Sequence, residues 1–377
     1  MPSCPSFTAT ACPIRTPAPV TRATLFSKSI NYSQRLKMPK ESEIKIGLTM
    51  GDPNGIGPEV LIRALHYLHP FHEWKPLIFG DIEIIKEINK AVGAPFSYKP
   101  IPKKHNLPIE KLNDSFCIPV VDLPVKKNRK WELGLCSSWG GQSAFKFVHN
   151  AILWANNKTI DAIVTAPLSK EALFSAGHNF PGHTEIISHY SNGARSVMML
   201  AVDDLRASMV TLHMSLRQAL DSLTPELILE VIEITDSGLR RMGIPNPKLG
   251  IAGLNPHAGE KGLFGDEENQ IILPALELAR KKSLLCEGPF PPDTIFLEHR
   301  KGMFDAVVAL YHDQALIPLK LYGFDRAVNI TLGLPVIRTS PDHGTAFQLA
   351  PKMEANPSSM IESIKMAVKM ASTSSND

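Results

Sequence analysis

Three histidines follow short apolar runs that are typical of strands, and imidazole is a common ligand of metal ions. His213, His257 and His312 are separated from one another by 44 and 55 residues. Ligands of open α/β sheets bind beyond the carboxyl ends of the strands, so three such residues can converge on one point. Neutral imidazole suits zinc or cobalt, and three protein ligands leave coordination positions open for a substrate. Each histidine taken alone is more often a packed or surface residue, and only the set indicates a metal site.

A second group of polar residues stands at the predicted start of a helix. Residues 180–185 read Phe-Pro-Gly-His-Thr-Glu. Free N–H groups at a helix start, together with the His183 ring and the Thr184 hydroxyl, suit an anionic or polyhydroxylated substrate. The alternative is that Thr184 is an ordinary helix N-cap.

A third group consists of polar side chains in the otherwise apolar segment 316–340, namely Lys320, Asn329 and Arg338. A cation in apolar surroundings is costly unless it is paired, so the phosphate or carboxylate of a ligand would explain these residues. The alternative is an ion pair with a nearby carboxylate, for which the candidates are Asp313, Asp325 and Asp342.

Two loops contain glycine in positions that can carry function. Residues 51–59, Gly-Asp-Pro-Asn-Gly-Ile-Gly-Pro-Glu, connect a predicted strand to a helix. Their spacing is not G-x-G-x-x-G, so the loop is not interpreted as a Rossmann dinucleotide site. Residues 341–346, Pro-Asp-His-Gly-Thr-Ala, are rich in turn formers and by themselves indicate only a loop.

The elements that would position these residues alternate between short apolar runs and helical patterns, which predicts a parallel α/β architecture. Helices are expected over 57–67, with Pro58 in the first turn, and over 224–242, with Thr224 as cap and Gly243 as terminator. Residues 99–130 are rich in Pro and Lys and are expected to form an irregular insertion or lobe crossing. Strands are expected over 44–50, 76–79, 162–165, 196–202, 207–213, 249–254, 305–311 and 328–332.

Length and composition exclude several classes of protein. The chain has 377 residues, 44% of them hydrophobic, and a formal net charge of +3. This length suits about two or three domains, or two lobes of one enzyme. No apolar run reaches the roughly 20 residues of a membrane span, and the scattered Lys and Arg give no electrostatic argument for nucleic acid. The five cysteines show no C-x-x-C spacing, so a reducing, cytoplasmic location is expected.

The first 43 residues differ in composition from the rest. No Asp or Glu precedes Glu41, while Ser, Thr, Pro and Arg are frequent. An acid-free, Arg- and Ser-rich leader resembles an organellar transit peptide, although several prolines argue against a long amphipathic helix. The alternatives are a disordered tail or a natural start at Met38. We therefore leave residues 1–43 out of the predicted fold.

Five motifs together resemble the PdxA family of 4-hydroxythreonine-4-phosphate dehydrogenases, and the resemblance runs from Ile44 to the C-terminus. The first motif, around Gly-Ile-Gly-Pro-Glu-Val, also resembles the isocitrate and isopropylmalate dehydrogenase group. The motifs are Thr-Met-Gly-Asp-Pro-Asn-Gly-Ile-Gly-Pro-Glu at 49–59, Gly-His-Thr-Glu at 182–185, Leu-Asn-Pro-His-Ala-Gly-Glu at 254–260, Tyr-His-Asp-Gln at 311–314 and Asp-His-Gly-Thr-Ala at 342–346.

The resemblance implies a two-lobed isocitrate/isopropylmalate-dehydrogenase-like fold with a mostly parallel sheet. The lobes would comprise about 44–137 plus 290–377, and 138–289. It also implies a homodimer with one divalent metal per subunit (zinc, cobalt or magnesium) at the subunit boundary. The metal ligands carried over by motif are His213, His257 and His312.

The family motifs also assign substrate and cofactor contacts. NAD or NADP would bind at Asp342, His343, Gly344 and Thr345. Residues 348–353 depart from the Asp and Gly-Lys-Gly stretch usual in the family, so the choice between NAD and NADP stays open. The substrate contacts implied are His183, Thr184, Lys320, Asn329 and Arg338.

The reaction implied is NAD(P)-dependent oxidation of 4-phosphooxy-L-threonine to a β-keto acid. That acid loses carbon dioxide to give 3-amino-2-oxopropyl phosphate, in pyridoxal 5′-phosphate biosynthesis. The metal would act as a Lewis acid that lowers the pKa of the substrate hydroxyl, with Lys320 or Asp313 as base. Alternatives are a related dehydrogenase for a phospho-threonate or a dihydrodiol, or, in another class, a three-histidine zinc hydrolase.

Overall fold

The structure is a computed structural model that describes residues 44–102, 116–124, 131–191, 193 and 195–374. The predicted leader lies outside the described residues, as does most of the predicted insertion at 99–130. The part of the chain from Ile44 onward forms one compact unit.

All twelve strands of the described residues belong to one sheet. Their order across the sheet is β3-β4-β2-β1-β5-β12-β11-β6-β7-β10-β8-β9. The strands are Ile44–Thr49 (β1), Trp74–Gly80 (β2), Ser97–Ile101 (β3), Cys117–Asp122 (β4), Ala162–Thr165 (β5), Val197–Val202 (β6), Leu205–Met209 (β7), Lys248–Ala252 (β8), Leu285–Phe290 (β9), Ala306–Ala309 (β10), Val328–Leu332 (β11) and Ile337–Pro341 (β12).

Helices follow most of these strands and cover the sheet. They are Gly57–Leu68 (α1), Ile82–Val92 (α2), Ser138–Asn156 (α3), Lys170–Ser175 (α4), His183–Tyr190 (α5), Leu216–Ser222 (α6), Pro225–Arg241 (α7), Leu273–Lys281 (α8), Ile295–Arg300 (α9), His312–Gly323 (α10) and Ser358–Ser374 (α11). In the described residues, no helix is long and apolar enough to cross a membrane.

The predicted α/β class with a mostly parallel sheet is confirmed. Parallel pairing runs from β3 to β12 on one side and from β7 to β9 on the other. Only β11 and β6 in the middle pair antiparallel with their neighbours. The core strands are buried along their whole length, as parallel strands covered on both faces must be. The division into two lobes stays a prediction, because a single continuous sheet joins all the strands.

The strand predictions differ from the structure mainly near proline. The bounds of β5 and β11 are as predicted, and six others begin or end within a few residues of the prediction. The prediction of an irregular 99–130 segment is wrong for much of its described part, which contains the end of β3 and all of β4. Pro100 is the reason that the sequence did not predict β3. An edge strand tolerates proline, however, because one row of its N–H groups is unpaired. The strands β9 and β12 were not predicted.

The helix predicted at 224–242 from its capping residues is confirmed. Thr224 accepts a hydrogen bond from the Leu227 N–H at 3.1 Å, and Gly243 follows the last turn of α7 with φ +88°. Helix α5, however, begins at His183 with Gly182 as N-cap, without a side-chain cap. The alternative that Thr184 is merely the N-cap is therefore wrong.

Candidate functional site

A cavity of about 380 Å³ opens at the carboxyl ends of β5, β7 and β12 and beside the start of α5. This is the edge at which parallel sheets bind ligands. Seven of the residues selected from the sequence line it, namely His183, Thr184, His213, Asn329, Arg338, His343 and Gly344.

Arg338 lies at the base of this cavity as a buried cation. The arginine as a whole is 3% exposed, and its guanidinium donates hydrogen bonds to the hydroxyls of Thr165 and Thr331. Neither the three predicted aspartates nor any other described carboxylate forms an ion pair with it. Burial lowers its pKa to about 10, and the charge of Glu185 opposes this shift. The group therefore remains protonated at neutral pH and is available to an anion.

His183 and Asn329 present polar atoms without partners near this cation. The His183 Nε2 and the Asn329 Oδ1 are buried, and neither has a hydrogen-bond partner in the part of the chain that is described. Burial and the charge of Arg338 hold the pKa of His183 well below its usual value, so its ring is neutral at pH 7. Buried polar atoms are costly when unpaired, which indicates that a ligand pairs with them.

Lys320 has different surroundings. Its Nζ lies 2.9 Å from Oδ2 of Asp342, and Lys320 does not line the cavity. The ion-pair interpretation is therefore confirmed for Lys320. Its partner Asp342 is one of the predicted cofactor residues, so a predicted substrate residue and a predicted cofactor residue form an ion pair. Both belong to the neighbourhood of the cavity, whose wall includes Pro341 and His343.

Two of the three candidate metal ligands lie together. The ring centroids of His213 and His312 are 5.7 Å apart, because β7 and β10 are neighbouring strands and each histidine follows one of them. Nδ1 of His312 lies 2.8 Å from Oδ1 of Asp313. A carboxylate on one ring nitrogen is the usual support of a metal-binding imidazole and leaves Nε2 free. Partial burial, Lys170 and the His312 ring together lower the pKa of His213.

The third histidine does not join them within one chain. After β8 the backbone turns left-handed, with positive φ at every residue from His257 to Lys261. His257 is exposed there, and its ring centroid lies 6.2 Å from that of Phe264. Across the described ranges, no group of three or more His, Cys, Asp or Glu side chains could hold a metal ion.

The candidate cofactor loop is in contact with the glycine loop at 51–59. The Ile56 N–H donates to the carbonyl of Thr345 at 2.9 Å, and a Cβ on Gly55 would lie 2.8 Å from the same oxygen. Glycine is therefore required at position 55 by a close approach of backbones. The two loops, which are far apart in the sequence, therefore pack against each other through their backbones.

Sequence reasoning missed five polar residues of the cavity wall, namely Thr165, Lys170, Glu185, Ser196 and Ser340. Thr165 and Lys170 stand at and just beyond the carboxyl end of β5, a strand whose bounds were predicted correctly, so the strand-end rule could have selected them. Glu185 belongs to the Gly-His-Thr-Glu motif but was given no role. Ser340 lies on β12, which was not predicted.

The protein is of the α/β class, with a cavity at the carboxyl edge of a mostly parallel sheet, and a buried arginine without an ion-pair partner among the described residues makes that cavity suitable for a small anion. The family model for the pyridoxal phosphate biosynthetic protein PdxA matches residues 72–367. The chain belongs to this family.

Individual relatives agree with this assignment. The chain is 43% identical to a D-threonate 4-phosphate dehydrogenase of Salmonella typhimurium, over 86% of this chain and 98% of the relative. It is 41% identical to a 4-hydroxythreonine-4-phosphate dehydrogenase of Beijerinckia indica, over 86% and 94%. The crystal structure of 4-hydroxythreonine-4-phosphate dehydrogenase from Klebsiella pneumoniae has a TM-score of 0.79 and 42% identity, and the match covers 88% of this chain and 100% of that one. The chain thus belongs to a family of oxidoreductases whose named members are dehydrogenases, a class that uses a nicotinamide cofactor.

Proposed function

We propose that this chain oxidises 4-phosphooxy-L-threonine with NAD or NADP to a β-keto acid, which decarboxylates to 3-amino-2-oxopropyl phosphate in pyridoxal 5′-phosphate biosynthesis. The observation that carries the proposal is Arg338, a buried cation without a carboxylate partner that faces a cavity of substrate size. A phosphorylated substrate supplies the missing negative charge.

The phosphate would be bound by Arg338 and Asn329, with Lys320 in reach after exchange of its Asp342 partner. Arginine offers a planar fork that matches phosphate oxygens, and the binding energy of this remote group orients the reacting carbon. His183 and Thr184, which also line the cavity, would bind the polar part of the substrate that does not carry the phosphate. The neutral His183 ring can accept or donate one hydrogen bond there.

The residues that would hold a divalent metal (zinc, cobalt or magnesium) are His213, His257 and His312. The pair of adjacent imidazoles with Asp313 behind one of them fits such a group. When bound, the metal acts as a Lewis acid toward the substrate hydroxyl. Lys320 or Asp313 is the proposed base that accepts the hydroxyl proton.

The third imidazole is proposed to come from a second copy of the chain, which makes the protein a homodimer with the metal site at the subunit boundary. Support comes from the surroundings of His257, where Leu263 is 72% exposed and Phe264 is 48% exposed. Exposed apolar side chains beside a functional residue are typical of a protein contact surface.

The nicotinamide cofactor is proposed to bind at Asp342, His343, Gly344 and Thr345, next to the glycine loop. The proposed location is the cytoplasm, where the described cysteines, all of them free, would remain reduced.

The test is an assay of absorbance at the reduced-nicotinamide band, with 4-phosphooxy-L-threonine as substrate. NAD is compared with NADP, and zinc and cobalt with magnesium. We expect metal-dependent reduction of one nucleotide that is lost in His257→Ala and that needs a much higher substrate concentration in Arg338→Met. Turnover of a substrate without any nicotinamide would contradict the proposal and favour a zinc hydrolase.

A second candidate substrate is D-threonate 4-phosphate, because relatives with 41–43% identity carry that activity in their names. Both substrates have the phosphate that Arg338 would bind, so the cavity suits either. A comparison of kcat/KM for the two substrates in the same assay decides between them.

A further inference from the structure

Strand register puts two threonine hydroxyls on either side of the Arg338 guanidinium. Thr331 of β11 is the direct antiparallel partner of Arg338 on β12. On the other side, β5 pairs parallel with β12 so that Arg338 lies opposite Ile163, two residues before Thr165. Side chains two apart on a strand point to the same face, so the three polar side chains share one face of the sheet.

Each of the two hydroxyls accepts hydrogen bonds from a different part of the guanidinium. Nη1 donates to Oγ1 of Thr331 at 2.9 Å, while Nε and Nη2 donate to Oγ1 of Thr165 at 3.2 and 2.9 Å. Thr331 is 4% exposed and Thr165 is fully buried. Both acceptors orient the fork, but neither carries a charge, so the positive charge of Arg338 is not neutralised.

This arrangement is unusual for a buried cation, which is ordinarily paired with a carboxylate. A carboxylate in place of either hydroxyl would stabilise the free protein and compete with an anionic ligand. We propose that Thr331 and Thr165 are positioning residues that hold the fork of Arg338 ready for a phosphate dianion. The inference rests on the proposed function, in which Arg338 binds the substrate phosphate.

Thr331 gives the cleaner test, because it does not line the cavity whereas Thr165 does. An effect of Thr331 on phosphate binding must therefore pass through Arg338. Thr339 provides a matched control: it is fully buried one residue further along β12, and its hydroxyl donates to the Ser363 carbonyl at 2.7 Å. Thr339→Val removes a buried hydroxyl of the same kind without touching Arg338.

The experiment compares Thr331→Val, Thr331→Ser and Thr339→Val in the full-length protein. The dissociation constant for inorganic phosphate is measured by calorimetry, with KM and kcat for the phosphorylated substrate and the Tm of each variant. We expect Thr331→Val to weaken phosphate binding and raise KM by about tenfold or more, the cost of one hydrogen bond to a charged group, with a much smaller change in kcat. Thr331→Ser keeps the acceptor and should restore both constants.

Thr339→Val should lower Tm and leave phosphate binding unchanged. The proposal is overturned if Thr331→Val lowers Tm as Thr339→Val does but binds phosphate like the wild type. A different result identifies failure of the proposed function itself: the wild type would then not bind phosphate, and Arg338→Met would leave KM unaltered. The same measurements on Thr165→Val and Thr165→Ser test the second hydroxyl that accepts from Arg338.

Discussion

Arg338 and Lys320 come from the same apolar stretch of sequence but have different surroundings in the fold. Lys320 pairs with Asp342, whereas Arg338 has only hydroxyl partners. The difference follows from position, since Arg338 is in the middle of the sheet and Lys320 is on the more exposed helix α10. A buried charge without an ion-pair partner destabilises the free protein, and a bound anion offsets that cost.

Arg338→Met tests this cost directly. We expect KM for the phosphorylated substrate to rise by about a hundredfold, because a bidentate charged contact is lost, while Tm stays the same or rises. Arg326→Met, which removes an exposed arginine paired with Asp203, is the control and should leave KM unchanged. A large fall in Tm for Arg338→Met would show that the cation stabilises the fold instead.

The buried carboxyl of Asp52, in the glycine loop, should make the stability of the folded protein depend on pH. Burial raises the pKa of Asp52 to about 6 from 3.8, so the folded protein favours the protonated acid. The stability that Asp52 contributes is therefore complete below about pH 4 and is lost as the pH rises through 6. Between pH 4 and pH 7, we expect the free energy of unfolding of the wild type to fall relative to Asp52→Asn by about 2 to 3 kcal/mol. Chemical denaturation of both proteins across this range checks it, and a difference that does not vary with pH would contradict it.

At the scale of elements, the segment after β8 shows how one strand end can differ from its neighbours. His213 and His312 follow β7 and β10 within four residues, and His213 alone among the residues around it has a positive φ, whereas the chain after β8 has five consecutive residues of positive φ, His257 to Lys261. Non-glycine residues in this region cost of order 1 kcal/mol each, so other contacts must hold the segment. Glu268 fixes the chain just before this segment: its buried carboxylate accepts from the Leu254 and Asn255 N–H groups at 2.8 and 2.7 Å, and from the Asn255 side chain at 2.9 Å.

Glu268→Ala should therefore release the left-handed segment. We expect a loss of about 3 kcal/mol in the free energy of unfolding, because buried N–H groups lose their acceptor, and faster amide exchange over residues 254–264. Glu267→Ala removes a more exposed carboxylate that accepts from the Asn255 side chain at 2.7 Å but not from the Leu254 or Asn255 N–H groups, and should have a clearly smaller effect. Equal exchange rates in the two variants would exclude a special role for Glu268.

At the scale of the whole molecule, helix α10 links the candidate metal site to exposed apolar surface. It begins at His312, and further along it Ile317 is 66% exposed and Leu321 is 87% exposed. Leu263 and Phe264 are exposed beside His257. Burial of such surface in a second copy of the chain would complete the set of three imidazoles and remove the exposed side chains from water.

If the proposed dimer buries helix α10, Leu321→Asp is predicted to make the protein monomeric, because a charge in a buried interface is costly. Light scattering after size exclusion measures the mass, and a cobalt titration followed by absorbance measures metal binding, which should be lost with the dimer. Leu285→Asp changes a 50% exposed leucine of β9 and serves as control. A Leu321→Asp protein that remains dimeric and binds cobalt would place the interface elsewhere.

Much of the fold could be predicted from local signals. The run 162–165 and the capped helix at 224–242 were predicted because apolar runs, Thr224 and Gly243 act within a few residues of chain. The edge strand β3 and the inner strand β4 could not be predicted in this way. Each contains a proline, and whether a strand tolerates proline depends on its position in the sheet, which local sequence does not give. The Arg338 site was selected by a local rule too, the presence of a cation among apolar residues.

The order of residues along the chain determined which side chains are candidates for the chemistry, because residue type and strand ends can be recognised locally. Tertiary structure decided which of them meet. The sheet order put β7 beside β10 and so joined His213 to His312, and the β11–β12 register gave Arg338 hydroxyls instead of a carboxylate. Contacts between distant segments depend on how strands are paired and how a loop such as 257–261 turns, and these depend on the packing of the whole molecule.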